Sequence, residues 1–222
     1  MHVVVNAAMS ADGKLSSRRR EQLAISGPTD FERVDALRAE SDAVVVGVGT
    51  VLADDPSLTV KDVHRRRERV AAGRPPQPAR VVVDSRARTP FDAAVLDDTA
   101  ETFLLCSDAA RIDRVRELED RGITPIVAGE DRVDLETAFT ALERTGVSKI
   151  MVEGGGELIF SLFESAIVDE LFVYVGPTVI GGADAPTLAD GAGFVEDFPT
   201  LELATVDRAD EGVLLRWTVN EP

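Results

Sequence analysis

Short apolar runs, rich in β-branched residues, recur along the chain. They fall at 3–5, 43–46, 80–83, 102–106, 123–128 and 149–152. Runs of this length, apolar almost throughout, predict strands of a sheet covered on both faces. Helical spacing fills the gaps. Phe31, Val34, Ala36 and Leu37 mark a helix over 29–39, with Thr29 or Asp30 as its cap. Ile112, Val115 and Leu118 mark another over 109–121, which stops at Gly122. A third spans 135–144 and stops at Gly146, and a short fourth spans 156–165. Strand and helix alternating in this way predict a parallel, right-handed α/β arrangement.

The C-terminal pattern differs. Leu171, Val173 and Val175 alternate in a strand over 170–175, and 201–206 with 213–219 predict an antiparallel hairpin around Asp210-Glu211-Gly212. The polar stretch 63–77 contains Pro75-Pro76 and reads as a surface excursion within one domain over 1–222. The expected fold is therefore α/β, a mixed and mainly parallel sheet with flanking helices and an antiparallel C-terminal edge.

Charge narrows the function. The chain carries 24 Lys+Arg against 40 Asp+Glu, a formal net charge of −16. That balance argues against nucleic acid as a partner, since phosphate backbones need clustered cations. Only Lys14, Lys61 and Lys149 are lysines, and Asp occurs 22 times. Abundant Asp with scarce Lys suits a high-salt, halophilic interior, where screening removes self-repulsion. A GC-rich genome produces the same bias. Cys106 is the single cysteine, so no disulfide or zinc-site spacing exists, and its neighbours place it in a buried strand. No apolar run reaches membrane-spanning length, and the N-terminus lacks a signal-peptide layout, so a cytoplasmic protein is expected. His2 and His64 have no partner motif and read as surface residues.

Candidate chemistry clusters at strand ends. Glu153-Gly154-Gly155-Gly156 follows one strand and opens a helix, which suits either a tight turn or a phosphate cradle. Gly47-Val48-Gly49-Thr50 follows another strand and leads into Asp54-Asp55-Pro56-Ser57, either a helix cap and turn or a grip on sugar hydroxyls. Asp84-Ser85-Arg86 ends a third, offering an exposed turn arginine or a hydroxyl–guanidinium pair for a 2′-phosphate. Asn6 ends a fourth run ahead of the turn at Asp12-Gly13. Four such ends imply one ligand groove along the sheet edge. No metal cluster is evident, so no metal is expected.

The segments AAMSADGK, DAVVVGVGTVLADDPSLTV, RVVVDSRARTP, MVEGGGELIFSLF and VDELFVYVGPTVIGG, in that order, resemble the riboflavin-biosynthesis pyrimidine reductases over nearly the whole chain. The likeness is to the stand-alone archaeal and fungal form. Neither the residues ahead of the reductase motifs nor the cysteine count suits the zinc deaminase fused to bacterial relatives. The resemblance implies a dihydrofolate-reductase-like fold, a homodimer, and NADPH as hydride donor, with NADH a weaker one. It implies reduction of the ribosyl group of 2,5-diamino-6-ribosylamino-4(3H)-pyrimidinone 5′-phosphate to the ribitylamino product. It implies cofactor contacts at Gly47, Gly49, Thr50, Asp54, Val83, Asp84, Ser85, Arg86, Gly129, Glu153, Gly154, Gly155 and Gly156. Substrate contacts are implied at Asn6, Ser26, Arg38, Asp54, Ser57, Leu58 and Glu153. Asp54 and Glu153 are the implied catalytic acids, and Lys61 stands where bacterial relatives often carry Arg. The alternatives are a dihydrofolate-reductase-type enzyme and a non-catalytic nucleotide-binding protein.

Overall fold

The computed structural model describes residues 1–21 and 23–220; Gln22, Glu221 and Pro222 lie outside them. Along the described chain run β1 (His2–Ser10), α1 (Pro28–Glu40), β2 (Ala43–Gly47), α2 (Val48–Asp54), α3 (Val63–Ala71), β3 (Ala79–Val83) and β4 (Thr102–Cys106). Then follow α4 (Ile112–Glu119), β5 (Thr124–Val127), α5 (Leu135–Glu143), β6 (Lys149–Val152), α6 (Gly156–Glu164), β7 (Glu170–Gly176), β8 (Leu201–Ala209) and β9 (Gly212–Val219). The strands are mostly parallel with an antiparallel C-terminal edge, as the sequence pattern predicts.

The chain divides into two compact units, one of Met1 with Asp35–Met151 and the other of His2–Val34 with Val152–Pro222. In the first, the strand order is β5-β4-β3-β2-β6, and β2 to β5 pair in parallel. Val44, Val46, Val82 and Leu104 from its strands pack with Val115 and Leu118 of α4. Every residue of β4 is buried, so the uninterrupted apolar run marks a strand covered on both faces. Cys106 sits there, and burial, with the nearby Asp84 and Asp108 carboxylates, pushes its thiol up to about 11. A thiol held neutral in this way is a packing residue.

In the second unit β1 pairs in parallel with β7, Val4 opposite Glu170 through Ser10 opposite Gly176. The β7–β9 and β8–β9 pairs are antiparallel, with a bulge between Leu203 and Thr205. The turn of this hairpin caps α1: Asp210 Oδ1 accepts from the Thr29 amide at 3.1 Å and Oδ2 from the Asp30 amide at 3.2 Å. The cap is therefore neither Thr29 nor Asp30. It comes from a carboxylate distant in sequence, and a Cβ on Gly27 would lie 2.6 Å from its Cγ. Asp30 is instead buried beside Arg33.

The structure adds detail at two further places. The polar stretch 63–77 begins with the helix α3. Asp62 caps α3 by accepting from the His64 and Arg65 amides at 2.6 and 3.0 Å. Arg69 of α3 is buried and donates to the carbonyls of Ala39, Ser41 and Pro75 at 2.7 to 2.9 Å. One guanidinium thus satisfies three backbone acceptors and anchors the segment. His2 is likewise partnered: its Nε2 lies 3.0 Å from Glu170 Oε1 and its Nδ1 3.4 Å from Asp169.

Candidate functional site

In the first unit, the residues after β2 form α2 and not an open glycine turn. Gly47 caps it in an extended conformation available to any residue, φ −76°. Gly49 lies inside it, and a Cβ there would meet no atom within 4 Å. Neither strain nor packing calls for that glycine, which costs about 1 kcal/mol against alanine in a helix. Thr50 follows on the same helix, and Asp54 ends it. Burial pushes the Asp54 carboxyl above its ordinary value. The two adjacent aspartates have separate roles. Asp55 takes the left-handed C-cap, φ 42°, and its Oδ1 accepts from the Ala94 amide at 2.7 Å.

The loop beyond α2 gathers hydroxyls around a cation. Lys61 Nζ donates to Ser57 Oγ at 2.9 Å and to Thr59 Oγ1 at 2.8 Å. Arg38 donates to the Thr59 carbonyl at 3.0 Å. Asp35, nearly buried, accepts from the Lys61 and Asp62 amides and from Arg65, and so fixes the loop. Two hydroxyls and Lys61 of one loop, with Arg38 of α1 beside them, suit a phosphate monoester. Lys61 and Thr59 are the members that motif reading missed or left open. The signal was the alternation Ser57-x-Thr59-x-Lys61, which puts three polar side chains together only if the loop is extended. The Leu58 side chain is 1% exposed and joins the core, so a contact there would be made by its backbone.

At the end of β3 the expected trio separates. Asp84 is fully buried, and its Oδ2 accepts from the Thr89 amide and hydroxyl at 2.7 and 2.8 Å. Its side chain holds the turn. Ser85 accepts from the Val133 amide through Oγ at 3.1 Å, and its carbonyl accepts from Ser107. Arg86 is exposed and lines a cleft of about 380 Å³ with Arg111, Asp113, Arg114 and Glu117. Val83 is half-buried below them. Gly129 has φ 89°, and a Cβ there would sit 2.2 Å from the Arg132 carbonyl oxygen, so its own turn requires glycine.

The second unit holds the other residues. After β6, Glu153 is half-buried, and Gly154 and Gly155 have φ 141° and 90°, conformations that only glycine adopts without strain. Gly156 opens α6 but is closed off. A Cβ there would lie 2.4 Å from the Thr187 carbonyl and 2.7 Å from Asp190, whose amide donates to the Gly156 carbonyl at 2.9 Å. Glycine is thus required at all three positions, at Gly154 and Gly155 for conformation and at Gly156 for close packing. Ser26 is half-buried ahead of α1. Asn6 is buried on β1, and its Oδ1 accepts from Arg33 at 2.7 Å. Asp12, an exposed neighbour in sequence, accepts from Ser10 and from the Ile180 and Gly181 amides, which hold its carboxyl at about 2.

The first unit thus offers a cation–hydroxyl loop and an arginine-lined cleft after a parallel strand, and the second a glycine turn between strand and helix, the strand-end positions at which α/β proteins bind ligands. Among the described residues no cluster of His, Cys, Asp and Glu is placed to hold a metal, and no helix is long and apolar enough to cross a membrane. The chain belongs to the RibD C-terminal domain family, whose profile matches residues 1–215. It is 47% identical over 211 residues to the 2,5-diamino-6-ribosylamino-4(3H)-pyrimidinone 5′-phosphate reductase of Archaeoglobus fulgidus, covering 95% of this chain and 94% of that protein. It is 43% identical over 220 residues to the reductase of the same name from Methanothermobacter thermautotrophicus, covering 98% of each. Among solved structures, a pyrimidine reductase-like protein from Corynebacterium diphtheriae shares the fold, with a TM-score of 0.88, 22% identity, and coverage of 100% and 92%.

Proposed function

We propose that the chain is an NADPH-dependent reductase that converts 2,5-diamino-6-ribosylamino-4(3H)-pyrimidinone 5′-phosphate to its ribitylamino product. The observation that carries this is the 47% identity, over nearly both full lengths, to an archaeal reductase of that name. The functional unit is one reductase domain over 1–222, and its place is the cytoplasm.

The residues present fit a nicotinamide dinucleotide. In the first unit Arg86 faces a cleft suited to an adenosine phosphate and Gly49 keeps open space on α2; in the second, Gly154 and Gly155 take turn conformations reserved for glycine. NADPH, when bound, supplies the hydride that reduces C1′. The protein's own residues do the rest. Ser57, Thr59, Lys61 and Arg38 hold the 5′-phosphate, and this anchors the ribose. Opening of the ribosylamine moves the glycosidic N–H proton to the ring oxygen and leaves an imine carbon at C1′. The imine nitrogen then takes one proton as C1′ is reduced. Asp54, whose carboxyl is pushed up by burial, is the group that holds or delivers a proton at the sugar. Glu153 orients the base or ribose.

A homodimer belongs to the same reading. Strand β8 is exposed along nearly its whole length, and Leu201, Leu203 and Val206 stand out in solvent with Val213 of β9. An uncovered apolar edge of this kind is normally paired. The test is NADPH oxidation with the diamino substrate and its deaminated counterpart side by side. Turnover of the diamino compound is expected; cofactor binding without turnover of either would make the chain a nucleotide-binding protein.

A further inference from the structure

Asn6 is one of three polar groups locked together in the second unit. Arg33 Nη2 donates to Asn6 Oδ1 at 2.7 Å and to Asp30 Oδ1 at 2.6 Å, and Arg33 Nε donates to the same Asp30 oxygen at 2.9 Å. A guanidinium carries donors only, so the Asn6 atom facing it must be the carbonyl oxygen. The arginine itself is held. Asp30 is 2% exposed, and the guanidinium lies 5.6 Å from the centroid of the Phe172 ring, with Arg216 5.4 Å from the same ring. Asn6, Phe172 and Arg216 stand opposite one another across β1, β7 and β9. Arg33 Nη1 is buried without a hydrogen-bond partner, so the pose is set by Asn6, Asp30 and the ring and not by full satisfaction of its own donors.

We propose that Arg33, held by Asp30, is a positioning residue that fixes the Asn6 amide with its NH2 toward the ligand, so that the substrate group met by Asn6 is a hydrogen-bond acceptor. This rests on the reading of Asn6 as a substrate contact. In the opposite polarity an exocyclic amino group would have to share Asn6 Oδ1 with Arg33, and the Asn6 NH2 would be left without an acceptor. The acceptors of matching chemistry are the pyrimidinone carbonyl, a ring nitrogen and a ribose oxygen.

The decisive variant is Asn6→Asp. A carboxylate keeps the contact with Arg33, and so the fold, but has no proton to donate. KM for the diamino substrate is expected to rise about ten-fold or more, the loss of one hydrogen bond to a buried group, with kcat changing less. Arg33→Met frees the amide to rotate and is expected to raise KM, Arg33→Lys to recover part of the loss, and Arg33→Met to add nothing in an Asn6→Ala background. Wild-type KM in Asn6→Asp overturns the donor assignment, and an equal effect of Arg33→Met in both backgrounds overturns the positioning role. Should Arg33→Met fail to fold, Asn6→Asp decides alone. A wild type that does not turn over the diamino substrate overturns the functional reading and this proposal with it.

Discussion

Arg86→Ala tests whether the cleft after β3 selects the phosphorylated cofactor. The neighbouring cations are already engaged. Arg114 donates to the carbonyls of Ala87 and Thr89 at 3.1 and 2.5 Å and lies over the Phe91 ring at 3.5 Å. Arg111 is paired with Asp113 at 2.5 Å. Arg86 makes no ion pair among the described residues and is exposed. A hydrogen bond between charged groups contributes about 1.5 to 3 kcal/mol. Solvent screening lowers this for an exposed side chain, and Asp113 and Glu117 in the same cleft repel a phosphate. The lower end, about 1.5 kcal/mol, corresponds to roughly ten-fold in Kd. NADH lacks the 2′-phosphate and should bind the variant nearly as it binds the wild type. Titration calorimetry with both cofactors at low salt measures this directly, and the NADPH loss should shrink as salt is added. Arg86→Lys should recover part of it, as a charge without the planar fork. Equal loss for NADPH and NADH would refute the assignment.

Three further outcomes are expected. Asp54→Asn should lower turnover by about 100-fold or more, within the range of an acid–base group, with NADPH affinity little changed. Its folded carboxyl is raised above the unfolded value of 3.8, so its contribution to stability is present at low pH and lost as pH rises through the folded value. Asp54→Asn should therefore melt no lower than the wild type at pH 7, and a clear drop there would count against burial as the cause. Arg80 is fully buried and donates to Thr102 Oγ1, to the Ala94 and Ala100 carbonyls and to Asp97 at 2.7 to 3.2 Å. Arg80→Met should cost about 3 kcal/mol or more by urea unfolding, because several acceptors lose their donor at once. Asp97 is held at about 2 by Thr99 and then by Arg80, so its contribution is present above pH 3.8 and lost as pH falls toward 2; that acid limb should weaken in Arg80→Met. If the net charge of −16 reflects a saline interior, the melting midpoint should rise from about 0.1 M to about 3 M KCl, and a flat profile would favour genome composition.

The elements themselves were legible because their signals are local. Buried β-branched runs such as 43–46 and 102–106 and the 3.6-residue spacing of 135–144 need no distant partner to be read. The glycines after Glu153 announced a tight turn, and the ordered motifs announced the family. The hydroxyls and cation of Ser57-x-Thr59-x-Lys61 were visible as residues, but not as a cluster, since that depends on Asp35 pinning the loop from α1. Only the tertiary structure removed Asp84, Leu58 and Gly156 from the accessible groups, because burial and close approach are properties of neighbours distant in sequence. The same holds for the capping of α1 by Asp210 and for the Asp30–Arg33–Asn6 lock. A side chain's type is written in the sequence; which of its atoms is left for a ligand is decided by the partners that the fold brings to the others.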